Sequence, residues 1–464
     1  MFLKNNSLNL FIASCFSVAS IGTASDLTTD AKLLELSGGE TTVFADGPTA
    51  FSMPAANTTH DHRTEFVVGN SLFNENWVAA PSSVKSRQGL GPTFNAQSCS
   101  ACHFKDGRGA PPPKTTQPIL SLLFRISYID SAGRVQDVPG YGDQIQPKGI
   151  PGVPGEAKPL LSRAIKEGKY PDGQIYSLEV PSVTFEELAY GKLPKNLLIS
   201  PRVAPAVIGM GLLENIKESD ILALQDPSDA NNDHISGRAN QVFNVETGKT
   251  SLGRFGWKSN QPSVRQQNFS AFLGDMGITS KFKPTQNCVS GQTECLASFK
   301  IKTPELSTES ENQVLTYTRL LAVPAARNTD KPAFSSGLKT FRTLECNSCH
   351  VESFTTGDNA DFPELSHQKI RPYTDLLLHD MGNELADKRP DFLATGNEWR
   401  TPPLWGVGLF QVVNHHTRYL HDGRARSLEE AILWHGGEAE MCKTRFMESP
   451  LSARTDLIYF LENL

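Results

Sequence analysis

The pentapeptide Cys-x-x-Cys-His occurs twice, as Cys99-Ser-Ala-Cys102-His103 and Cys346-Asn-Ser-Cys349-His350, and no other feature constrains the chain as tightly. With eight Cys and 11 His in 464 residues, chance supplies roughly 0.003 such matches. Two therefore mark a shared chemical requirement. Thiols one helical turn apart can add to the two vinyl groups of one haem, and the next imidazole then lies beneath the ring as an axial ligand. Zinc held by two Cys pairs and dithiol redox chemistry are the rivals. Zinc leaves the two adjacent His without a shared use, and the pairs lie far apart in the chain. Two covalently bound c-type haems are expected, with His103 and His350 on the iron atoms.

The N-terminus agrees with that chemistry. Lys4 precedes an apolar segment from Leu8 to Ile21, followed by the small residues Gly22-Thr23-Ala24-Ser25. This pattern predicts a signal peptide over residues 1–24 and a periplasmic chain. Ile12-Ala13-Ser14-Cys15 also matches a lipoprotein box, so acylation of Cys15 would instead give a membrane-anchored lipoprotein. In an oxidising compartment Cys288 and Cys295 should form a disulfide, leaving Cys442 unpaired as a small, partly buried side chain. The 44 basic and 50 acidic residues, with no dense Lys/Arg run, exclude a nucleic-acid partner. No apolar run is long enough for a transmembrane helix.

Gly and Pro punctuate Pro111–Pro113 and Pro139–Pro159 so densely that long helices are excluded there. Leu120–Tyr128 alternates as a strand, with Gln174–Val183 as its hairpin partner. Helical patterns fall at Thr184–Tyr190, Ala206–Asn215, Ser219–Gln225, Glu311–Leu321, Phe334–Arg342, Tyr373–His379, Leu428–Trp434 and Ala453–Leu461. The fold class is thus mainly α with long loops and minor β, in two cytochrome c-like haem domains. The polar stretch Lys281–Thr308 separates them, giving an N-terminal haem domain over 25–300, with loop and hairpin insertions, and a C-terminal one over 301–464. A long-range duplication is visible as well: Trp257 is followed seven residues later by Val264, and His421 seven later by Leu428.

Several segments carry a family resemblance. Gly69-Asn-Ser-Leu-Phe-Asn74, Leu252-Gly-Arg-Phe-Gly-Trp257, Leu376-Leu-Leu-His-Asp-Met-Gly382 and Trp399-Arg-Thr-Pro-Pro-Leu-Trp405 resemble the di-haem oxidoreductase group related to bacterial di-haem cytochrome c peroxidases. Tyr419-Leu-His-Asp-Gly423 is shared with the wider peroxidase family. The resemblance implies one haem for electron transfer and one for peroxide chemistry. In the peroxidases the second haem's sixth ligand is a Met fourteen residues after the His of the His-x-Gly element. Here that position is His435, so His350/His435 coordination is expected, with Met381 and His379 as rivals. Two imidazoles hold iron at a lower potential than His/Met.

The same comparison places a Trp between the haems, here Trp257, and a Gln ten residues later, here Gln267. The family's catalytic Glu before Met-Gly becomes Asp275 before Met276-Gly277, two residues closer than in the family, with Glu214 in reserve. The position equivalent to His435 in the first half is Ala271, which cannot ligate, so the first haem should be open to hydrogen peroxide. Cleaving peroxide requires a proton moved between its two oxygens, which Asp275 and Gln267 can serve. His60, His62 and His234 could each reach the first iron as a resting ligand. Asp226–Gly237 has oxygen donors at alternate positions like a calcium loop, with Asp229, Asn231 and Asp233 as ligands, although His234 replaces the usual Gly and Asn240 the usual Glu. The expected function is an exported, haem-dependent peroxidase-type oxidoreductase exchanging electrons with a small redox protein. The alternatives are a non-catalytic di-haem electron carrier and an oxidase of a protein side chain.

Overall fold

The computed structural model describes Met1 and residues 32–298 and 304–464. The signal peptide with Cys15 and Ala24, and the expected boundary at 300, lie outside the described residues. In chain order the elements that position the site are helix α1 (His60–Asn74), strands β1 (Leu122–Ile129), β2 (Lys158–Lys169), β3 (Ile175–Glu186) and β4 (Leu197–Val203), and helices α2 (Val264–Met276), α3 (Thr308–Leu320) and α4 (Pro332–Thr343). Strands β5 (Leu378–Asp380) and β6 (Glu398–Arg400) follow, then helices α5 (Leu428–Leu433), α6 (Glu440–Glu448) and α7 (Leu451–Glu462). Among the described residues no helix is long and apolar enough to cross a membrane. Cys288 and Cys295 are joined by a disulfide.

Three sequence expectations are corrected. β3 does not pair with β1; it pairs antiparallel with β2 along all twelve residues, from Lys158 opposite Glu186 to Lys169 opposite Ile175. Pro171-Asp172-Gly173 closes that hairpin, with the Tyr170 N–H donating to Gln174 O at 2.8 Å, and so short a loop costs little closure entropy. β1 pairs instead with β4. In place of the helix expected at Thr184–Tyr190, Thr184–Glu186 end β3, where pairing with β2 overrides local preference, and 187–190 form a turn. The helix expected at Tyr373–His379 is irregular chain, with Tyr373 and Leu376 at positive φ, leading into β5. There the Thr374 hydroxyl accepts from Leu376 N at 3.0 Å and the Asp375 carboxylate from Leu377 N at 2.9 Å. These local bonds compete with helix formation.

The helical scaffold is built twice. In the first half α1 crosses α3 at Gly69, where an added Cβ would collide with the Gln313 carbonyl. The close approach sets Phe66 and Phe73 against Tyr317, at 4.7 and 5.3 Å between ring centroids, and Phe73 also meets His103 at 6.1 Å. In the second half α4 crosses α7 at Gly337, whose Cβ would meet the Asp456 carbonyl. Phe334 and Phe341 pack on Phe460 at 5.1 and 5.4 Å, and Phe341 reaches His350 at 6.4 Å. In both halves a Gly and the Phe four residues later thus form a helix crossing that abuts the haem-motif imidazole. Because α3 follows residue 300, the first crossing straddles the boundary expected there.

Both glycines face backbone carbonyls, which cannot swing aside. Gly69→Ala and Gly337→Ala should therefore each destabilise the chain by about 1–3 kcal/mol through overpacking, despite the gain of up to about 1 kcal/mol in helix propensity. Urea unfolding of each variant measures this, and Val67→Ala, on the exposed face of α1, should change stability by no more than about 0.5 kcal/mol.

Candidate functional site

Each Cys-x-x-Cys-His segment is a single tight helical turn, Cys99–Ala101 and Cys346–Ser348. The His103 N–H donates to Cys99 O at 2.9 Å and the His350 N–H to Cys346 O at 3.0 Å. All four cysteines are free. The His103 Nδ1–H donates to Pro205 O at 2.7 Å, and the His350 Nδ1–H to Tyr373 O at 2.9 Å. A carbonyl only accepts, so Nδ1 carries the proton in both rings and Nε2 keeps its lone pair. Burial pushes both imidazoles down to about 4, so they are neutral. His435 repeats the arrangement, its Nδ1–H donating to Ala431 O at 2.7 Å at the end of α5, and burial likewise lowers its pKa.

These three imidazoles and both cysteine pairs line one cavity of about 1000 Å³, at the upper end of the range for a single small-ligand pocket. Neutral imidazoles with Nδ1 tied to backbone are the arrangement of metal-ligating histidines. The residues therefore fit haem: four thiols for attachment, and His103, His350 and His435 to ligate iron.

Helix α2 forms one wall. The Ser263 hydroxyl caps its start by accepting from Gln266 N at 3.1 Å, and Gly277 ends it in the left-handed conformation at φ 67°. Between those caps, Gln267, Ala271 and Asp275 lie four residues apart and all line the cavity. The last turn of α2 is fastened to the first motif, because the Asp275 carbonyl accepts from Asn95 N at 2.8 Å and Ala96 N at 3.2 Å. The Asp275 carboxylate accepts from Gln144 Nε2 at 2.9 Å. Burial raises its pKa, with Gln144 and Arg125 opposing, and burial followed by the Asp275 charge raises the Cys99 and Cys102 thiols.

Trp257 lies in the cavity wall, with its indole N–H donating to Val203 O at 2.8 Å and the Arg108 guanidinium 5.1 Å from its ring. A stacked aromatic pair is also present there that the sequence did not single out as a pair. Trp399 stacks on His421 at 3.7 Å and 8°, and the Lys258 ammonium sits 4.5 Å from the Trp399 ring. Lys258 is wholly buried and donates to Asp387 Oδ1 at 2.7 Å, Arg389 O at 2.9 Å and Thr395 O at 2.7 Å. Burial draws its pKa down to about 8 against the pull of Asp387.

The other expected residues are placed as follows. His379 has both ring nitrogens engaged, Nε2 with Asp375 Oδ2 at 2.8 Å and Nδ1 with Glu438 Oε2 at 2.6 Å. This leaves no lone pair for iron. Burial works against its charge, but Cys349 and the two carboxylates outweigh it and hold the imidazolium well above its usual pKa. Asp375 and Glu438 were missed in the sequence, since spacing of Asp375 four before His379 suggests a helix that does not form. Met381 remains on the cavity wall. Glu214 caps α2 instead, accepting from Val264 N at 2.8 Å and Arg319 Nε at 2.6 Å. His62 is bonded to Glu364 at 2.8 Å and His60 lies exposed on α1, whereas His234 reaches the cavity. Cys442, expected as an unpaired, partly buried side chain, is a free, half-buried thiol whose Sγ lies 3.1 Å from Cys346 Sγ.

In the expected calcium loop the oxygens serve the turn itself. Asp229 Oδ1 accepts from His234 N at 3.1 Å, Asn231 Oδ1 from Asp233 N at 2.9 Å, and Asp233 Oδ1 from Ile235 N at 2.8 Å. Among the described residues no group of three or more His, Cys, Asp or Glu is placed to hold a metal ion, and calcium has no support at this turn.

The family model described as "Di-haem oxidoreductase, putative peroxidase" matches residues 32–126 and 170–464. No curated protein matches the chain. A solved structure of Kuenenia stuttgartiensis hydrazine synthase, pressurized with 20 bar xenon, is similar over 99% of this chain and 100% of that chain, at 12% identity and a TM-score of 0.34. Similarity at that level carries no argument about this chain.

Removing His379 would leave Asp375 and Glu438 buried together without their cation. His379→Gln should cost about 3–5 kcal/mol at neutral pH, the loss expected on breaking a buried ion pair. The sign follows from the shifts. The raised imidazolium stabilises the fold below its unfolded value near pH 6.5 and loses that only as pH climbs through the higher folded value. Glu438, held low because His379 outweighs its burial, loses its share as pH falls below the usual glutamate range. Denaturant midpoints from pH 4 to 9 should therefore separate variant from wild type most between about pH 5 and 6.5, with the gap narrowing on either side.

Proposed function

Because the chain belongs to the di-haem oxidoreductase family, we propose that it is an exported enzyme holding two thioether-linked haems, which activates peroxide at the N-terminal haem and exchanges electrons with a small redox protein through the C-terminal one. In this reading each half is a cytochrome c-like unit, supported by the repeated glycine crossings beside His103 and His350. Cys99 and Cys102 would hold one haem with His103 as ligand; Cys346 and Cys349 would hold the other, with His350 and His435 as ligands. When bound, the iron supplies one-electron redox chemistry and a site at which an O–O bond can be cleaved.

The observation that carries the reading is the Gln267–Ala271–Asp275 stripe on α2. It sets an amide and a carboxylate on either side of a side chain too small to ligate or to fill the space. Asp275 is placed to take a proton from one peroxide oxygen and return it to the other, and Gln267 to orient the substrate by hydrogen bonding. Ala271 leaves room where the second half presents His435. Trp257, on the wall shared by both motifs, provides an aromatic path for electrons.

Three variants test this. Asp275→Asn should abolish the peroxide-dependent change in haem absorbance on stopped-flow mixing of the half-reduced protein; unchanged kinetics would reject the assigned base. The base must be ionised to act, and burial raises the Asp275 pKa, so the rate should fail on the acid side at a higher pH than an ordinary Asp implies. Gln144→Ala removes a bond that favours the carboxylate, and should move that acid limb to still higher pH. His435→Ala should turn one haem from low spin to high spin by electron paramagnetic resonance, whereas an unaltered spectrum would assign the sixth position to Met381.

A further inference from the structure

Five arginines line the cavity: Arg108, Arg125, Arg202, Arg400 and Arg445. Three of them have carboxylate partners, Arg125 with Asp143, Arg202 with Asp391 at 3.1 Å, and Arg445 with Glu345. Arg108 and Arg400 have none among the described residues, although each is more than nine-tenths buried. Arg108 donates from Nε to Arg418 O at 2.8 Å and from Nη2 to Leu420 O, leaving Nη1. Arg400 donates from Nε to Gly256 O at 2.9 Å and from Nη1 to Thr401 O at 3.1 Å, leaving Nη2. Burial pulls both guanidinium groups down to about 10. Asp422 and Asp375 act on them only from beyond ion-pair distance; a buried charge without a contacting counter-ion is costly, and a cavity beside it is where an anion can enter.

Both arginines also flank the same residue. The Arg108 guanidinium lies 5.1 Å from the Trp257 ring, and the Arg400 backbone N–H donates to Trp257 O at 2.9 Å. Arg254 provides a contrast. It is buried and donates to the Leu213 and Ile216 carbonyls at 3.2 and 2.8 Å, but it does not line the cavity.

We propose that Arg108 and Arg400 are the anion sites of this cavity and bind the propionate carboxylates of the haems beside Trp257. The inference rests on the haem reading above. A planar guanidinium presents paired N–H donors matched to a carboxylate, and the two free Nη groups are the donors left for it. Ionised propionates would then stay charged inside the protein, and a cation fixed beside each would favour reduced iron.

The test uses the holoprotein and three substitutions, with haem counted by pyridine haemochrome and midpoint potentials read by spectroelectrochemistry. Arg108→Gln and Arg400→Gln should keep two haems per chain while one midpoint potential shifts downward. Arg108→Lys and Arg400→Lys should recover most of that shift, and Arg254→Gln should leave both potentials in place. Two haems with both potentials unchanged in the Gln variants would overturn the proposal and leave the haem reading intact. A wild-type chain without covalent haem would overturn both. Should a Gln variant fail to accumulate, redox-difference infrared spectra of wild-type protein with haem carboxylates labelled in carbon-13 decide the matter. Label-sensitive bands of ionised carboxylates support the assignment, and bands of protonated carboxylic acids overturn it.

Discussion

Three half-buried imidazoles donate through Nδ1–H to backbone carbonyls, at Pro205, Tyr373 and Ala431, and the rest of the site depends on that choice. Each bond fixes the tautomer and the ring plane together, leaving one basic nitrogen for a metal in a cavity that carries both cysteine pairs. His379 shows the opposite outcome with the same side chain. Two carboxylates claim both of its nitrogens and make it a cation that cannot ligate. Whether a histidine in this chain can bind iron is thus decided by its acceptors: a carbonyl takes one proton and leaves a lone pair, whereas two carboxylates retain the imidazolium.

The scaffold packs closely against two of those imidazoles. Gly69 and Gly337 let two pairs of helices cross at backbone contact, and the phenylalanine one turn on from each glycine abuts the motif imidazole. Protein interiors are dense enough for a single methyl group at such a crossing to be felt. The same stiffness holds α2, whose last turn is tied to the segment before Cys99, and so holds Asp275 in place.

Charge is distributed unevenly over the buried surface. Lys258 has a carboxylate and two carbonyls for its three protons, and His379 has two carboxylates. Among the described residues Arg108 and Arg400 have carbonyls alone. Buried polar groups that are fully satisfied make a site rigid, and those left one partner short show where something else belongs. Two of the three tryptophans lining the cavity stand among these cations, Trp257 beside Arg108 and Trp399 beside Lys258. A positive charge over an indole face stabilises the neutral ring, so both rings are biased toward remaining reduced.

How much of this was legible in the chain depends on the range of the interaction. Cys99-x-x-Cys102-His103 and its second copy were readable because their chemistry is contained within one helical turn, and α3, α4, α5 and α7 because their apolar period is local. The spacing Gln267–Ala271–Asp275 could likewise be counted before its common face was known. The Tyr373–His379 segment misled, since its helical period lost to side-chain bonds from Thr374 and Asp375, and β1 found its partner in β4 because Pro171-Asp172-Gly173 turned β3 back on β2. The contact of Cys442 with Cys346, the carboxylates on His379, the stack of Trp399 on His421 and the unpaired guanidinium groups join residues distant in the chain, and no pattern of neighbours encodes them. The sequence by itself determined which atoms could hold a haem; the tertiary structure alone decided which nitrogens stayed free and which charges stayed unpaired, because those depend on acceptors brought together only when the chain packs.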